Sequence, residues 1–373
     1  MKIPLSSADI TEQEINEVLD VLRTKRLSLG PKLKEFEKIT AEYAGVKYAI
    51  AVNSGTSALH LIVRALGIGK GDEVITTPFS FISSSNCILY EGASLVYVDI
   101  DEKIFNIDVS KIEEKITEKT KAILAVDIFS HPADWDKLQE IAKKYNLLLI
   151  EDSAEALGSE YKGKKCGSFG EAGIFAFYPN KQLTTGEGGI ILTNNKEIAD
   201  FCRSSANQGR AVENEKWLDH IRLGYNYRLN EMSCAMGLAQ MRRADEIVQK
   251  RIDVADLYNK KLKDFKELET PYIDKNSKMS WFVYAVKLSE NLAGAKRDKI
   301  INEMEKKEIP CRNYFQPIHL QPFYKKEFGY KEGDFPITEN ISKRTLALPF
   351  FSDLSEKEID FVVKNLKEVL QTI

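Results

Sequence analysis

The chain has 373 residues, 43% hydrophobic and 29% charged, and its 53 basic and 56 acidic side chains give a formal net charge of −3. That length excludes a single small module and allows a core hiding about three quarters of the extended chain's surface, while the near-neutral balance offers no overall basic footprint for nucleic acid. Five cysteines with no C-x-x-C pair exclude a disulfide framework and suit a reducing, cytoplasmic setting, and no apolar leader core or apolar run of about 18 residues predicts export or membrane insertion.

Thr11 and Glu14 form a capping box ahead of Ile15, Val18, Leu19 and Leu22, which predicts an amphipathic helix. KYAIAVNS then reads as a strand and TSALHLIVRAL as the helix after it. DEVITTP, SLVYVDI and AILAVDI read as three further strands, Leu138, Ile141, Ala142 and Tyr145 mark one face of a helix near 134–145, and NLLLIED is a fifth strand. GIFAFYP and GGIILTN are two short strands around a Gly-rich turn, and an Ala- and Met-rich helical region covers about 230–260. Such alternation predicts an α/β fold with a mostly parallel central sheet. From residue 246 Lys, Asp and Glu become denser, and WFVYAVKL with helices around 294–306 and 355–370 predicts a smaller C-terminal α/β domain. The expected division is therefore 1–245 and 246–373, with the N-terminal helix a candidate to pack on the smaller domain.

Several motifs lead away from other chemistries. Gly67, Gly69 and Gly71 follow a helix and precede a strand, the reverse of a dinucleotide fingerprint, and GSEYKGKK places Lys165 where a P-loop needs Ser or Thr, so a surface hairpin is expected there. None of the four histidines has a second ligand type at metal spacing, so no metal site is expected, and there is no G-x-S-x-G elbow.

Three segments carry chemistry when taken together. AVNSGTSALHL ends a strand at Asn53 and turns through Ser54, Gly55 and Thr56 into a helix, whose open amides and positive dipole end suit a phosphate. Alone, that turn reads more readily as an ordinary helix cap. In NLLLIEDSAEALGS, Asp152 follows a strand, where open α/β sheets gather ligands, although it also suits the cap of a following helix. In GIFAFYPNKQLTTGEGG, Lys181 follows an aromatic strand and precedes a flexible turn, a position that by itself describes a solvated lysine of little weight in stability.

In this order the segments resemble fold type I pyridoxal-phosphate enzymes. More narrowly, GTSALHL, GKGDEVIT, EDSAEALG, NKQLTTGEGG and GYNYRLNE, with PIHLQPFY and LALPFF further on, resemble the DegT/StrS-type sugar-nucleotide aminotransferases from about residue 3 to the C-terminus. The resemblance implies that fold: a large cofactor domain plus a smaller C-terminal one. It implies pyridoxal 5′-phosphate as cofactor, with Lys181 forming the Schiff base and Asp152 beneath the pyridine nitrogen, where a buried negative charge keeps that nitrogen protonated. It also implies Phe81 stacking on the ring, Gly55 and Thr56 at the phosphate, Glu155 over the cofactor, and Asn226 reaching the phosphate of a neighbouring subunit, hence a homodimer. Ala176 departs from the pattern, since many members carry there a Ser that binds the phosphate.

The implied reaction is amination of a nucleotide-linked keto-sugar with L-glutamate as donor. EDSAEALG and NKQLTTGEGG stand nearest to perosamine synthase-like members that aminate C4 of 4-keto-6-deoxy sugars, with amination at C3 as the alternative. Tyr314 and His319 in RNYFQPIHLQP are candidate sugar-nucleotide contacts. A cofactor-binding regulatory protein is a second class, weighed down by the retained lysine and carboxylate and by the lack of a basic arm.

Overall fold

A computed structural model describes residues 1–211 and 219–373. The chain begins with helices α1 (Glu12–Thr24) and α2 (Pro31–Ala44). The Glu14 carboxylate closes the expected capping box by accepting from the Thr11 amide at 2.7 Å. Next, β1 (Tyr48–Val52), α3 (Gly55–Ala65), β2 (Glu73–Thr76), α4 (Ser83–Tyr90), β3 (Ser94–Tyr97), β4 (Thr120–Val126), α5 (Trp135–Tyr145) and β5 (Leu148–Asp152) alternate. The hairpin strands β6 (Glu160–Tyr161) and β7 (Lys164–Lys165) occupy the segment that only imitated a P-loop. After β8 (Ala172–Ala176) and β9 (Gly189–Thr193) come α6 (Lys196–Ala206), α7 (Glu231–Arg242) and α8 (Ala244–Leu262).

Seven of these strands form one sheet in the order β1-β9-β8-β5-β4-β2-β3, all parallel except β9. The continuous apolar runs of the sequence are explained by helices covering both faces: Ala122 to Val126 in β4 and Leu149 to Asp152 in β5 are all buried. Because β1, β2, β4, β5 and β8 share one direction, their carboxyl ends open onto a single edge of the sheet.

The C-terminal part contains β10 (Leu268–Glu269), β11 (Ser277–Lys278), β12 (Tyr284–Leu288), α9 (Ala295–Lys306), α10 (Pro322–Phe328), α11 (Pro336–Arg344), β13 (Thr345–Leu348) and α12 (Glu356–Leu370). Strands β10, β12 and β13 make a small antiparallel sheet whose core includes Tyr258, Tyr284, Ile300, Leu346 and Ile359. This core also takes in Ile3, whose amide donates to the Glu308 carbonyl at 3.2 Å, while the Phe350 amide donates to the Leu5 carbonyl at 2.9 Å. Helix α1 itself lies against α7, held by Arg243, which donates to Asp9 at 2.8 Å and to Glu14 at 3.0 Å. Thus residues 3–5, and not the helix after them, join the smaller core. The composition shift at 245/246 falls inside α8, which buries Ala244 and Ile247 in one cluster and Val254, Ala255, Tyr258 and Leu262 in another.

Candidate active site

Asp152 is the last residue of β5 and 3% exposed. Ser84, in the first turn of α4, donates to its Oδ2 at 2.7 Å, and the Ala154 amide donates to Oδ1 at 3.2 Å. Burial raises the Asp152 pKa above the ordinary carboxylate value, against the hydrogen bond from Ser84 and the positive charge of Lys181. The carboxyl therefore gains from any further cation placed beside it.

Glu155, three residues on, is also buried. Its Oε2 accepts from the Phe129 amide at 3.0 Å and its Oε1 from Lys181 Nζ at 3.3 Å. Phe129 and Ser130 reach that position through left-handed backbone, with φ of 52° and 72°, a conformation disfavoured for side-chain-bearing residues and held here by the packing around it. Burial pushes the Glu155 pKa up, and the Lys181 charge pulls it back. Lys181 lies between β8 and β9 with its side chain only 13% exposed and its Nζ 4.0 Å from the centre of the Phe282 ring, a cation–π contact. It is not the solvated turn lysine that its local sequence describes.

The first turn of α3 completes this edge. Ser54 caps the helix by accepting from the Ser57 amide, so the amides of Gly55 and Thr56 face outward without intrahelical partners. Gly55 is required by closeness: a Cβ there would lie 2.9 Å from the Ala176 Cβ at the end of β8. Ala176, the position at which the resemblance implies a Ser, thus touches the helix start. Phe81 stands three residues before Ser84 and its side chain is 57% exposed. The exposed Asn226 lies beside the same turn through its backbone, its carbonyl accepting from Asn53 Nδ2 at 3.4 Å.

From the C-terminal part, the Ile318 amide donates to the Pro78 carbonyl at 2.8 Å and brings the 314–318 segment over this edge. Tyr314 lies 6.1 Å from Phe282 and 6.4 Å from Phe129, ring centre to ring centre, and burial together with the Glu155 charge raises its pKa. His319 has a different environment. It is fully buried, bonded through Nε2 to Glu339 of α11 at 3.1 Å and packed against Phe335, so the expectation of a substrate contact is corrected: no atom of it reaches solvent.

Behind Asp152 lies a polar cluster that sequence reasoning missed. Ser153 Oγ is 2.6 Å from Asp127 Oδ2 and 2.8 Å from Glu151 Oε1, and Cys166 Sγ is within 4.8 Å of both carboxyls. The amides of Ala133 and Phe169 and the Trp135 indole also donate into it, so its oxygens are already occupied by protein donors. Ser84, Phe282 and Gln182 were missed as well. Gln182 spans the site floor by donating to Ser130 Oγ at 3.0 Å and Ser280 Oγ at 2.8 Å. Gln182 lies in NKQLTTGEGG beside Lys181 but has no residue type that marks it, and Ser84 and Phe282 lie outside the motifs that carry the chemistry.

These residues fit pyridoxal phosphate on structural grounds. A buried carboxyl in need of a cation, a nearby amine, an uncovered aromatic ring and a helix start with open amides stand along one sheet edge. Residues 8–367 match the DegT/DnrJ/EryC1/StrS aminotransferase family. The chain is 38% identical to the GDP-perosamine synthase of Escherichia coli O157:H7 over 369 residues, 98% of each protein. Among solved structures it resembles Helicobacter pylori PseC, an aminotransferase involved in the biosynthesis of pseudoaminic acid, with a TM-score of 0.94, 29% identity and full coverage of both chains. It also resembles the PMP form of the putative sugar aminotransferase Spr1654 from Streptococcus pneumoniae, with a TM-score of 0.93, 29% identity and 99% coverage of both. The chain therefore belongs to the DegT/DnrJ/EryC1/StrS family of pyridoxal-phosphate-dependent sugar aminotransferases.

Proposed function

We propose that this enzyme transfers the amino group of L-glutamate to C4 of a nucleotide-linked 4-keto-6-deoxyhexose, as a cytoplasmic homodimer. The observation that carries the reading is the Lys181 amine held between the Glu155 carboxylate and the Phe282 ring, on the same sheet edge as buried Asp152. The sugar class is supported by the 38% identity to a GDP-perosamine synthase.

When bound, the cofactor ring supplies an electron sink for the pair released as the substrate C–H bond breaks. Gly55 and Thr56 would hold its phosphate, Phe81 one face of its ring, Asp152 its ring nitrogen, and Lys181 its aldehyde carbon. Ser84 and the Ala154 amide hold the Asp152 carboxylate in orientation, each using one of its oxygens. Lys181 Nζ, when free as an amine, would serve as the base that moves the proton, and Glu155 Oε1 keeps that amine within reach of the site. Tyr314 walls the side on which the sugar enters.

The homodimer is supported by apolar side chains open to solvent in the single chain. Ile15, Leu19 and Leu22 form one exposed face of α1, and Phe81, Tyr178, Ile221 and Leu223 are exposed elsewhere. The exposed side chain of Asn226 is available to a partner's phosphate site. Among the described residues no helix is long and apolar enough to cross a membrane.

The test is to incubate the loaded enzyme with L-glutamate and a panel of UDP-, dTDP- and GDP-linked keto-sugars, then locate the new amino group by NMR. One substrate should yield the 4-amino sugar with stoichiometric 2-oxoglutarate. Amination at C3, or no turnover across the panel, overturns the assignment.

A further inference from the structure

Arg251, on α8, is 1% exposed, and all its hydrogen bonds go to backbone carbonyls. Nη1 donates to Trp281 at 3.0 Å and to Phe282 at 3.4 Å, and Nη2 donates to Lys181 at 3.0 Å. No carboxylate is bonded to it among the described residues, and its Nε has no acceptor. Burial lowers its pKa to about 10, which leaves the guanidinium charged at neutral pH. A buried cation without a bonded anion is costly, and its planar fork suits a geometry in which two chain segments must be held at once. Those segments are the turn that carries Lys181 and the approach to β12. The second of them supplies Phe282, whose ring faces the Lys181 amine at 4.0 Å. One side chain therefore fixes both the backbone from which the amine hangs and the surface against which it rests.

We propose that Arg251 is the positioning residue for the Lys181 amine, joining the Lys181 carbonyl to the carbonyls of Trp281 and Phe282. This rests on the reading of Lys181 as the residue that carries the cofactor. The lysine side chain can adopt many rotamers, so its reach to the reacting atom depends on where its main chain is held. The next residue, Gln182, is clamped through its side chain to Ser130 and Ser280, whereas the Lys181 main chain is held by its amide donating to the Tyr178 carbonyl within the same turn and, among the described residues, at its carbonyl by Arg251. Arg297 offers a comparator. It too is buried and donates from Nη1 to two carbonyls, Ser342 and Thr345 at 2.9 Å each, but these belong to α11 and β13.

The experiment uses the full chain freed of cofactor. The rate at which pyridoxal 5′-phosphate is captured at Lys181 is measured by borohydride trapping and peptide mass mapping, with thermal unfolding recorded in parallel. Arg251→Met should slow capture on the order of ten-fold or more, as a displacement of about 1 Å is enough to do. Arg251→Lys keeps the charge but reaches one carbonyl at a time, so an intermediate rate is expected, and this variant carries the test if the Met variant does not fold. Arg297→Met should lower the unfolding temperature while capture proceeds at the wild-type rate. A wild-type rate in Arg251→Lys, or a slowing in Arg297→Met equal to that in Arg251→Met, overturns the positioning role. Failure of the underlying reading is seen separately, as label on a different lysine of the wild-type chain.

Discussion

Lys181 and Glu155 depend on each other. With the lysine side chain only 13% exposed and the glutamate 6%, removing the amine leaves a buried carboxyl without its cation. Burial already raises the Glu155 pKa, and loss of Lys181 raises it further, so the folded chain keeps a proton that the unfolded chain has released. Stability then falls as pH rises through the window between the two pKa values. Lys181→Ala should therefore abolish turnover and also cost about 1–3 kcal/mol of stability near neutral pH, and less in mild acid. Urea unfolding at both pH values checks the sign, and a loss that does not vary with pH would argue against the pairing. Lys181 and Asp152 could be singled out in the sequence because both sit beside recognisable strands, and the structure places both, largely buried, on one sheet edge. Arg251 could not be singled out, since on a helix rich in Lys and Arg nothing local separates a guanidinium bonded to main-chain carbonyls from its neighbour Lys250, which is paired with Asp9 and Asp353. His319 was misread because its burial is set by Glu339, twenty residues away on α11.

At the scale of elements, β1 ends the large sheet and leaves one row of backbone groups without a neighbouring strand. An ion pair stands where the next strand would be. Glu37 of α2 accepts from the Ala51 amide at 3.0 Å, Arg203 of α6 donates to the Ala49 carbonyl at 3.2 Å, and the two side chains meet at 2.7 Å. Burial raises the Glu37 pKa even with Arg203 beside it. Arg203→Ala strands that carboxyl and should cost about 1–2 kcal/mol, a value reduced because the arginine is partly solvated and screened. Adding Glu37→Gln should recover part of the loss, with a coupling of about 0.5 kcal/mol or more in a guanidinium-unfolding cycle, and strict additivity would deny the pair its role. The sheet strands were readable because burial on both faces writes them as unbroken apolar runs. Helices α4 and α6 had no comparable signal: α4 starts on Ser83, Ser84 and Ser85, where tertiary packing and not local propensity decides the conformation.

For the whole molecule, the cluster behind the site sets a pH dependence. The Ser153 hydroxyl has one proton to donate and lies within bonding distance of both Asp127 and Glu151, two buried carboxyls that repel each other when both are ionised. Burial and mutual repulsion push both carboxyls up, so the pair takes up a proton well above the ordinary carboxylate range, with Glu151 pushed up to about 8. The folded chain thus binds a proton that the unfolded chain loses near pH ~4.3, and stability declines as pH rises from there toward 8. Glu151→Gln removes that titration, so its unfolding temperature should vary less over this range than the wild type's. An unchanged slope would place the shared proton elsewhere. The joining of residues 3–5 to the smaller core has a consequence for synthesis. Every strand of the large sheet has been made by Thr193, but the partners of Ile3 and Leu5, Glu308 and Phe350, are made only after it. Residues 3–5 therefore stay undocked while the large sheet forms and join only once the smaller core is made.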